Sequence, residues 1–181
     1  ACHAIDVMNF IVGTPTAVDG VVRQSVFSSD VDDEVYCTLR FADGSSGQLS
    51  VNWSDDSQRK MSTRVSVWGT RGRLVVDRQE CQLFLRDGSS VDVGFRKGWQ
   101  VRNTTELTEN VWFYLRGEEY STQIDYFAES ILQCRMDGEN TFRSALETDR
   151  IVSMIAAYAA VSTPVSDSPR GSRTFWSRFK R

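Results

Sequence analysis

The sequence predicts an α+β fold in which an open, mostly antiparallel β-sheet carries helices on one face. Three observations support this fold class: an apolar helical segment at the start, period-two alternation of apolar and polar residues between residues 17 and 95, and two amphipathic helical patterns after residue 119. Short turns between the alternating segments favour antiparallel neighbours, since parallel strands need a longer crossover. We expect one domain over residues 1–160 and a basic, disordered tail over residues 161–181.

The first segment predicts a buried helix, because its residues up to Val12 are apolar nearly all round. Gly13 suits the C-terminal cap of this helix, and Pro15 prevents its continuation. The sequence offers no N-terminal cap before the helix. We therefore expect the 181 residues to be a fragment of a longer polypeptide.

Period-two alternation predicts the strands that follow. In residues 35–41 the apolar positions alternate with Tyr36, Thr38 and Arg40, and a turn at Asp43-Gly44 comes next. Further strands are expected at residues 49–53, 64–68, 73–77, 82–86 and 90–95. One face of these strands is apolar, so we expect helices to cover that face and leave the other partly open.

For residues 97–119 we predict a long irregular segment with one short strand at 111–114. Two amphipathic helices follow. The first has apolar residues at i, i+3, i+4, i+7 and i+8 counted from Ile124, and it is expected to end near Gly138. The second is expected to open with the capping-box pattern that begins at Ser144, and Pro164 closes it.

Composition and charge exclude several classes of protein. The chain is 40% apolar and 25% charged, which is typical of a globular domain, and no apolar run reaches the length of a membrane span. The net charge is −3, but residues 1–160 alone carry 16 basic and 23 acidic residues. Such a body lacks the basic surface of a nucleic-acid binder, so we expect neither nucleic acid nor membrane as partner.

The cysteine and histidine content argues against a metal site. Four cysteines occur without any C-x-x-C pair, and His3 is the only histidine, so the usual zinc ligand spacing is missing. Scattered single cysteines in a chain of this size predict reduced, buried thiols. Reduced thiols in turn indicate a cytoplasmic protein.

His3 and Asp6 are the candidate catalytic pair. They stand at i and i+3 of the first helix and therefore share one face. An imidazole can take the proton of a substrate hydroxyl near neutral pH, and a carboxylate beside it can orient that hydroxyl. The alternative is a structural His–Asp pair that satisfies itself on a buried helix, and the pair alone does not decide between the two.

Several short motifs occur in a characteristic order. They are His3-Ala4-Ile5-Asp6, Gly13 with Pro15, Asp33-Glu34, Phe41-Ala42-Asp43-Gly44, Gln48-Leu49-Ser50-Val51-Asn52-Trp53 and Val67-Trp68-Gly69-Thr70-Arg71-Gly72. Together they resemble the C-terminal domain of the Gfo/Idh/MocA family, the glucose-fructose oxidoreductase and inositol dehydrogenase group. The resemblance extends from residue 1 to about residue 160.

This resemblance implies a dihydrodipicolinate-reductase-like domain from a two-domain enzyme. In that family an N-terminal Rossmann domain binds NAD or NADP, and a lysine of a Glu-Lys-Pro motif acts with a histidine on a sugar or polyol hydroxyl. By resemblance, the catalytic residue His3 is expected to relay a proton or to orient the substrate, and Asp6 is expected to be a substrate-binding carboxylate. No G-x-G-x-x-G and no Glu-Lys-Pro lysine occur here, so we expect the cofactor to bind mainly to an absent N-terminal domain and this chain alone to be inactive.

The resemblance also points to Arg59 as a substrate-binding residue, because family residues before the Gly-x-x-Gly turn can reach the sugar. A cation there could bind a carboxylated or phosphorylated sugar. The alternative for residues 58–61 is a solvated hairpin turn. Trp53 could stack on a sugar, or it could pack in the core or an interface.

The open face of the sheet is the expected association surface. Tyr36, Trp53 and Trp68 could form the interface of a homo-oligomer, as is common among family members. Two functions therefore remain open. The chain is either the substrate-binding half of a cytoplasmic NAD(P)-dependent sugar or polyol oxidoreductase, or a non-catalytic protein-assembly module that uses the open face of the sheet. The basic tail is expected to be a solvated end.

Overall fold

The computed structural model describes residues 2–53, 62–87, 95–107, 111–115 and 118–158. The helices in these ranges are α1 (Cys2–Val12), α2 (Thr104–Leu107), α3 (Glu118–Leu132) and α4 (Phe142–Ala157). The strands are β1 (Ala17–Gln24), β2 (Glu34–Arg40), β3 (Ser46–Asn52), β4 (Val65–Gly69), β5 (Gly72–Val76), β6 (Glu80–Leu85) and β7 (Gly98–Asn103). None of the helices in these ranges has the length and hydrophobicity of a membrane span.

The described strands form two antiparallel sheets. One contains β1, β2 and β3 in that order, and the other contains β4, β5, β6 and β7. Every described strand pair is antiparallel, which confirms the predicted fold class. The strand predicted at residues 90–95 falls outside the described residues except for Phe95, which is not in a strand.

The core lies between the three-stranded sheet and the helices α1 and α4. Period-two alternation places one set of strand side chains on the helix-facing side, where they meet one residue of α1 and two of α4. The buried members of this cluster are Ile5, Val18, Val21, Cys37, Leu39, Leu49, Ile151 and Ile155. For the three-stranded sheet, the sequence therefore predicted correctly that helices cover an apolar face.

The opposite face of the three-stranded sheet is mostly polar, apart from exposed Val22 and Tyr36. An ion pair joins Asp19 to Arg40, and the amide of Gln48 donates a 3.0 Å hydrogen bond to the hydroxyl of Thr38. These cross-strand pairs stabilise the register, which would expose the apolar residues if it slipped by one position.

Helix α1 ends as the sequence predicts but is less buried than predicted. The N–H of Gly13 donates a 3.0 Å hydrogen bond to the Asn9 carbonyl, with Gly13 at a φ of 103° that favours glycine. Only Ile5 of this helix is fully buried, whereas Phe10 is 73% exposed. The prediction of a helix buried on all sides was wrong, because the described elements pack against a single stripe of α1.

The connection between α3 and α4 corrects two predicted boundaries. Helix α3 stops at Leu132 instead of near Gly138, because Cys134 adopts a left-handed φ of 51° and its N–H bonds to the Ile131 carbonyl. Helix α4 starts one turn earlier than predicted. Thr141 is its N-cap, and Ser144 is the residue three positions on that completes the capping box.

The stretch between β6 and α3 also differs from the prediction. Strand β7 and the short α2 occupy residues 98–107, where an irregular segment was expected. The strand predicted at 111–114 is absent, since these residues bond to α3 instead of a sheet. The indole of Trp112 donates to Asp125, and the N–H of Leu115 donates to the hydroxyl of Ser121.

All four cysteines are free thiols. Cys37 is buried in the core, and this burial raises the pKa of its thiol. Cys81 is partly buried. Cys2 and Cys134 are exposed, so the prediction that the cysteines are buried was wrong for these two, which lie at the ends of α1 and α3 where little packs over them.

A buried carboxylate orders the loop between β1 and β2. Asp33 accepts hydrogen bonds of 2.8, 2.8 and 2.6 Å from the backbone N–H groups of Val26, Phe27 and Ser28. Burial alone would raise the pKa of Asp33, but these N–H groups stabilise the charged form and hold its pKa below the ordinary value of an aspartate. The ionised carboxylate therefore stabilises the folded state.

We expect Asp33→Asn to lower the thermal unfolding midpoint by several degrees at pH 7, because an amide cannot accept all three bonds as a carboxylate does. A depressed pKa stabilises the folded state above the unfolded value, about 3.9, and that stabilisation is lost as pH falls through the lower folded value. Circular-dichroism melting between pH 7 and pH 2 should show the difference shrinking only at the acidic end. Asp30→Asn, an exposed carboxylate of the same loop, is the control. Equal midpoints for the two variants at pH 7 would contradict the account.

Candidate functional site

A cleft of about 930 Å³ opens between the start of α1, the end of α3 and the first turns of α4. Both predicted residues of α1, His3 and Asp6, line it. The rest of the lining includes polar, aromatic, aliphatic and sulfur-containing side chains: Cys2, Tyr126, Phe127, Ser130, Ile131, Cys134, Arg135, Met136, Asp137, Asn140, Thr141, Phe142, Ser144, Thr148 and Asp149. Such a mixture suits a ligand that has both polar groups and an apolar face.

Packing in the core fixes the position of the His3–Asp6 pair. Ile5 lies between them in sequence, is 0% exposed and belongs to the core cluster with Ile151 of α4. His3 itself is exposed to solvent and Asp6 is half-buried. The pair is therefore held by a buried neighbour while its own functional groups reach the cleft.

Thr148 fixes the Asp6 carboxylate. The Thr148 side chain is 5% exposed, and its hydroxyl donates a 3.3 Å hydrogen bond to Oδ1 of Asp6. This contact joins residues 142 positions apart in the sequence. Only one carboxylate oxygen takes part in it, so the other oxygen is left to accept a hydrogen bond from a ligand.

Tyr126 and the segment after α3 form another wall of the cleft. The Tyr126 hydroxyl accepts a 3.1 Å hydrogen bond from the N–H of Glu139. At Gly138 a Cβ would lie 2.8 Å from the Tyr126 hydroxyl oxygen, so a side chain there would displace the ring. The Arg135 guanidinium lies 5.6 Å from the Tyr126 ring centroid and pairs with Glu129 at 3.5 Å.

The structure brings together two of the three predicted site residues. His3 and Asp6 share the cleft, while Arg59 lies in residues 54–61, outside the described residues, and its role stays a prediction. Trp53 is 76% exposed and does not line the cleft. Thr148 was not predicted from the sequence, although a threonine three residues before Ile151 on the buried stripe of α4 is an indication of a polar contact.

The cleft offers proton transfer and hydroxyl recognition. An imidazole can accept and return a proton, and carboxylates accept strong hydrogen bonds from hydroxyl groups. Within the described ranges, no group of three or more histidine, cysteine or acidic side chains could hold a metal ion. The side chains that line the cleft suit acid–base and hydrogen-bonding chemistry.

Comparisons with known proteins agree with this architecture. Residues 1–75 match the family model of the GFO/IDH/MocA C-terminal domain. No curated protein shows significant sequence similarity to the chain.

Solved structures extend the likeness to most of the chain. A levoglucosan dehydrogenase in complex with NADH and levoglucosan is 23% identical, with a TM-score of 0.63 over 86% of this chain and 46% of its own. An NAD binding oxidoreductase from Klebsiella pneumoniae is 19% identical, with a TM-score of 0.64 over 86% of this chain and 46% of its own. A UDP-N-acetylglucosamine 3-dehydrogenase from Acidithiobacillus ferrooxidans is 16% identical, with a TM-score of 0.56 over 86% of this chain and 44% of its own.

These structural likenesses establish the fold. The chain spans less than half the length of the solved chains that it matches. The resemblance predicted from the motifs is confirmed over residues 1–75, which match the family model of the GFO/IDH/MocA C-terminal domain, and the chain shares the fold of the C-terminal parts of these solved structures.

Proposed function

We propose that this chain is the substrate-binding part of an NAD(P)-dependent oxidoreductase that acts on a secondary hydroxyl of a sugar or polyol. The observation that carries the proposal is the solvent-exposed His3 beside Asp6 in one cleft. The family match over residues 1–75 supports it, as does the fold shared with a dehydrogenase solved with NADH and levoglucosan. The four free thiols support a cytoplasmic location.

The residues of this chain do not fit a dinucleotide site. A Rossmann site needs parallel strands and a glycine-rich turn at a helix N-terminus. The described strands are all antiparallel, and the sequence contains no G-x-G-x-x-G. We therefore assign no cofactor contact to this chain and propose that NAD or NADP binds mainly to a domain outside these 181 residues, without which the chain is inactive.

His3 and Asp6 have separate roles in this proposal. His3 accepts the proton of the substrate hydroxyl during oxidation and returns it during reduction. Asp6 accepts a hydrogen bond from a neighbouring hydroxyl and so orients the ring. Thr148 is a positioning residue, because its hydroxyl bonds to Oδ1 of Asp6 and so affects the substrate through the Asp6 carboxylate.

The four-stranded sheet supports a second part of the proposal, a homo-oligomer. Trp68, Arg73, Phe84 and Trp99 are directly opposite one another on β4 to β7 and therefore share one face. The guanidinium of Arg73 lies 4.9 Å from the Trp68 ring centroid, and the Phe84 and Trp99 rings are 5.3 Å apart. Trp68 is 70% exposed and Trp99 56%. We call these four residues the aromatic row.

Aromatic residues and arginine are enriched at protein interfaces, so the aromatic row favours contact with another protein. This observation supports both self-association and the alternative function, a non-catalytic assembly module that uses the sheet face. The two differ in whether the cleft also binds a sugar.

The proposed catalytic role is tested with the polypeptide that joins this chain to its dinucleotide-binding domain. We expect His3→Ala to lower kcat by about 10²- to 10⁴-fold, because the hydroxyl proton loses its acceptor. Steady-state kinetics with NAD or NADP across a pH series provide the measurement. Phe10→Ala, an exposed residue of the same helix that does not line the cleft, is the matched control and should leave kcat unchanged.

Unchanged turnover in His3→Ala would remove this residue from the mechanism. The 181-residue chain alone should not alter NADH fluorescence in a titration, since it has no fitting dinucleotide site. Tight NADH binding by the chain alone would contradict the division of roles.

The association surface is tested by multi-angle light scattering of the wild-type chain and a Trp68→Ser, Trp99→Ser double variant. We expect the wild type to self-associate and the double variant to shift toward monomer, because two large exposed aromatic contacts are lost. Trp112→Ser, which removes an 85% exposed indole outside the sheets, is the control. A wild-type chain that stays monomeric at all concentrations tested would refute the homo-oligomer.

A further inference from the structure

The charged side chains around the cleft are unequally distributed. Of the described residues that line it, Asp6, Asp137 and Asp149 carry carboxylates and Arg135 is the cation, with histidine counted as neutral at pH 7. The guanidinium of Arg135 already pairs with Glu129 at 3.5 Å. Its positive charge is therefore offset locally, and three carboxylates are left to act on a ligand.

Two helix ends supply opposing positive potential. The N-termini of α1 and α4 both reach the cleft, and each contributes roughly half a positive charge. At α4 the N–H of Ser144 is already bonded to the hydroxyl of Thr141. Two half-charges offset only part of three carboxylates, so the described lining keeps a negative balance of about two charges.

The cleft is small enough for its net negative charge to act on a bound ligand. A sphere of the cleft volume, 930 Å³, has a radius of about 6 Å. The Debye length at physiological ionic strength is about 8 Å, so salt only partly screens the lining charges from a ligand at the centre.

The same side chains suit a neutral sugar. Ring hydroxyls can donate to the three carboxylates in charge-assisted hydrogen bonds. Exposed Phe127 and Phe142 and the side chain of Ile131 offer apolar surface to the C–H faces of a sugar ring. A phosphate or carboxylate on the sugar would find no unpaired cation among the described lining residues.

We infer that the cleft selects uncharged or cationic sugars over phosphorylated or carboxylated ones. This inference rests on the proposed function and specifies its substrate class. It differs from the substrate class predicted on the basis of Arg59, a cation expected to bind an anionic sugar. The two substrate classes give opposite orders of affinity, which makes them separable.

The test measures binding of four matched probes to the 181-residue chain by ligand-observed NMR titration at pH 7 and low salt. The probes are D-glucose, D-glucosamine, D-glucose 6-phosphate and D-glucuronate. We expect glucose and glucosamine to bind at least about tenfold more tightly than the two anionic sugars, because the carboxylates of the cleft repel an anion. A tenfold ratio of dissociation constants is the size of effect that one pK unit represents. At high salt this ratio should shrink, because screening weakens charge-based selection.

A matched pair of double variants shows whether the carboxylates of the cleft cause this affinity ratio. Asp137→Asn with Asp149→Asn should reduce the ratio toward one. Asp30→Asn with Asp87→Asn changes the net charge equally at exposed positions outside the cleft and should leave the ratio unchanged.

Two outcomes would overturn the inference in different ways. If anionic sugars bind as tightly as glucose or more so, and Arg59→Gln abolishes their binding, the selectivity inferred here is wrong while a sugar site is retained. If none of the four probes binds, the proposed sugar-binding function itself fails.

Discussion

Burial of Ile5 in the core shared with α4 and the three-stranded sheet is the contact on which the arrangement depends. Ile5 and Ile151 are both fully buried, and truncating such a side chain to alanine costs about 2–5 kcal/mol. His3 lies two residues before Ile5 and Asp6 one residue after it. The packing that excludes water from Ile5 therefore also fixes a polar pair in the lining of the cleft, and the Thr148 hydrogen bond orients the carboxylate of Asp6.

The two sides of the cleft are stabilised in different ways. α1 and α4 belong to the buried core, whereas Phe127 and Ile131 of α3 are largely exposed, and the wall after α3 is held by bonds of Tyr126 and Arg135. Weakly packed elements open at lower free energy than core elements. The proposed binding residues on α1 are thus held by the core, and we expect the α3 wall to be the side that adjusts to a ligand.

Local sequence patterns predicted the helices and strands better than they predicted how these elements pack together. Alternation located β2 to β6, and the Gly13 cap ended α1 as predicted, because these features depend on neighbours in sequence. The exposure of α1 depends on which elements cover it, which a single sequence does not specify. The left-handed Cys134 that ends α3 had no local indicator, since glycine is the usual residue there. For the candidate site, His3 and Asp6 were predicted from spacing and resemblance, while the Thr148 contact spans 142 positions and needs the fold.

The central claim is that the imidazole of His3 faces a bound sugar. Because His3 is the only histidine, its Cε1–Hε1 group gives a single histidine signal of that type in a ¹H–¹³C NMR spectrum. Titration with a neutral monosaccharide should shift this signal in a saturable way, and Thr148→Val should weaken the apparent affinity several-fold while Thr148→Ser retains it. Sugar binding that leaves the His3 signal unchanged, or that is equal in both Thr148 variants, would contradict the account.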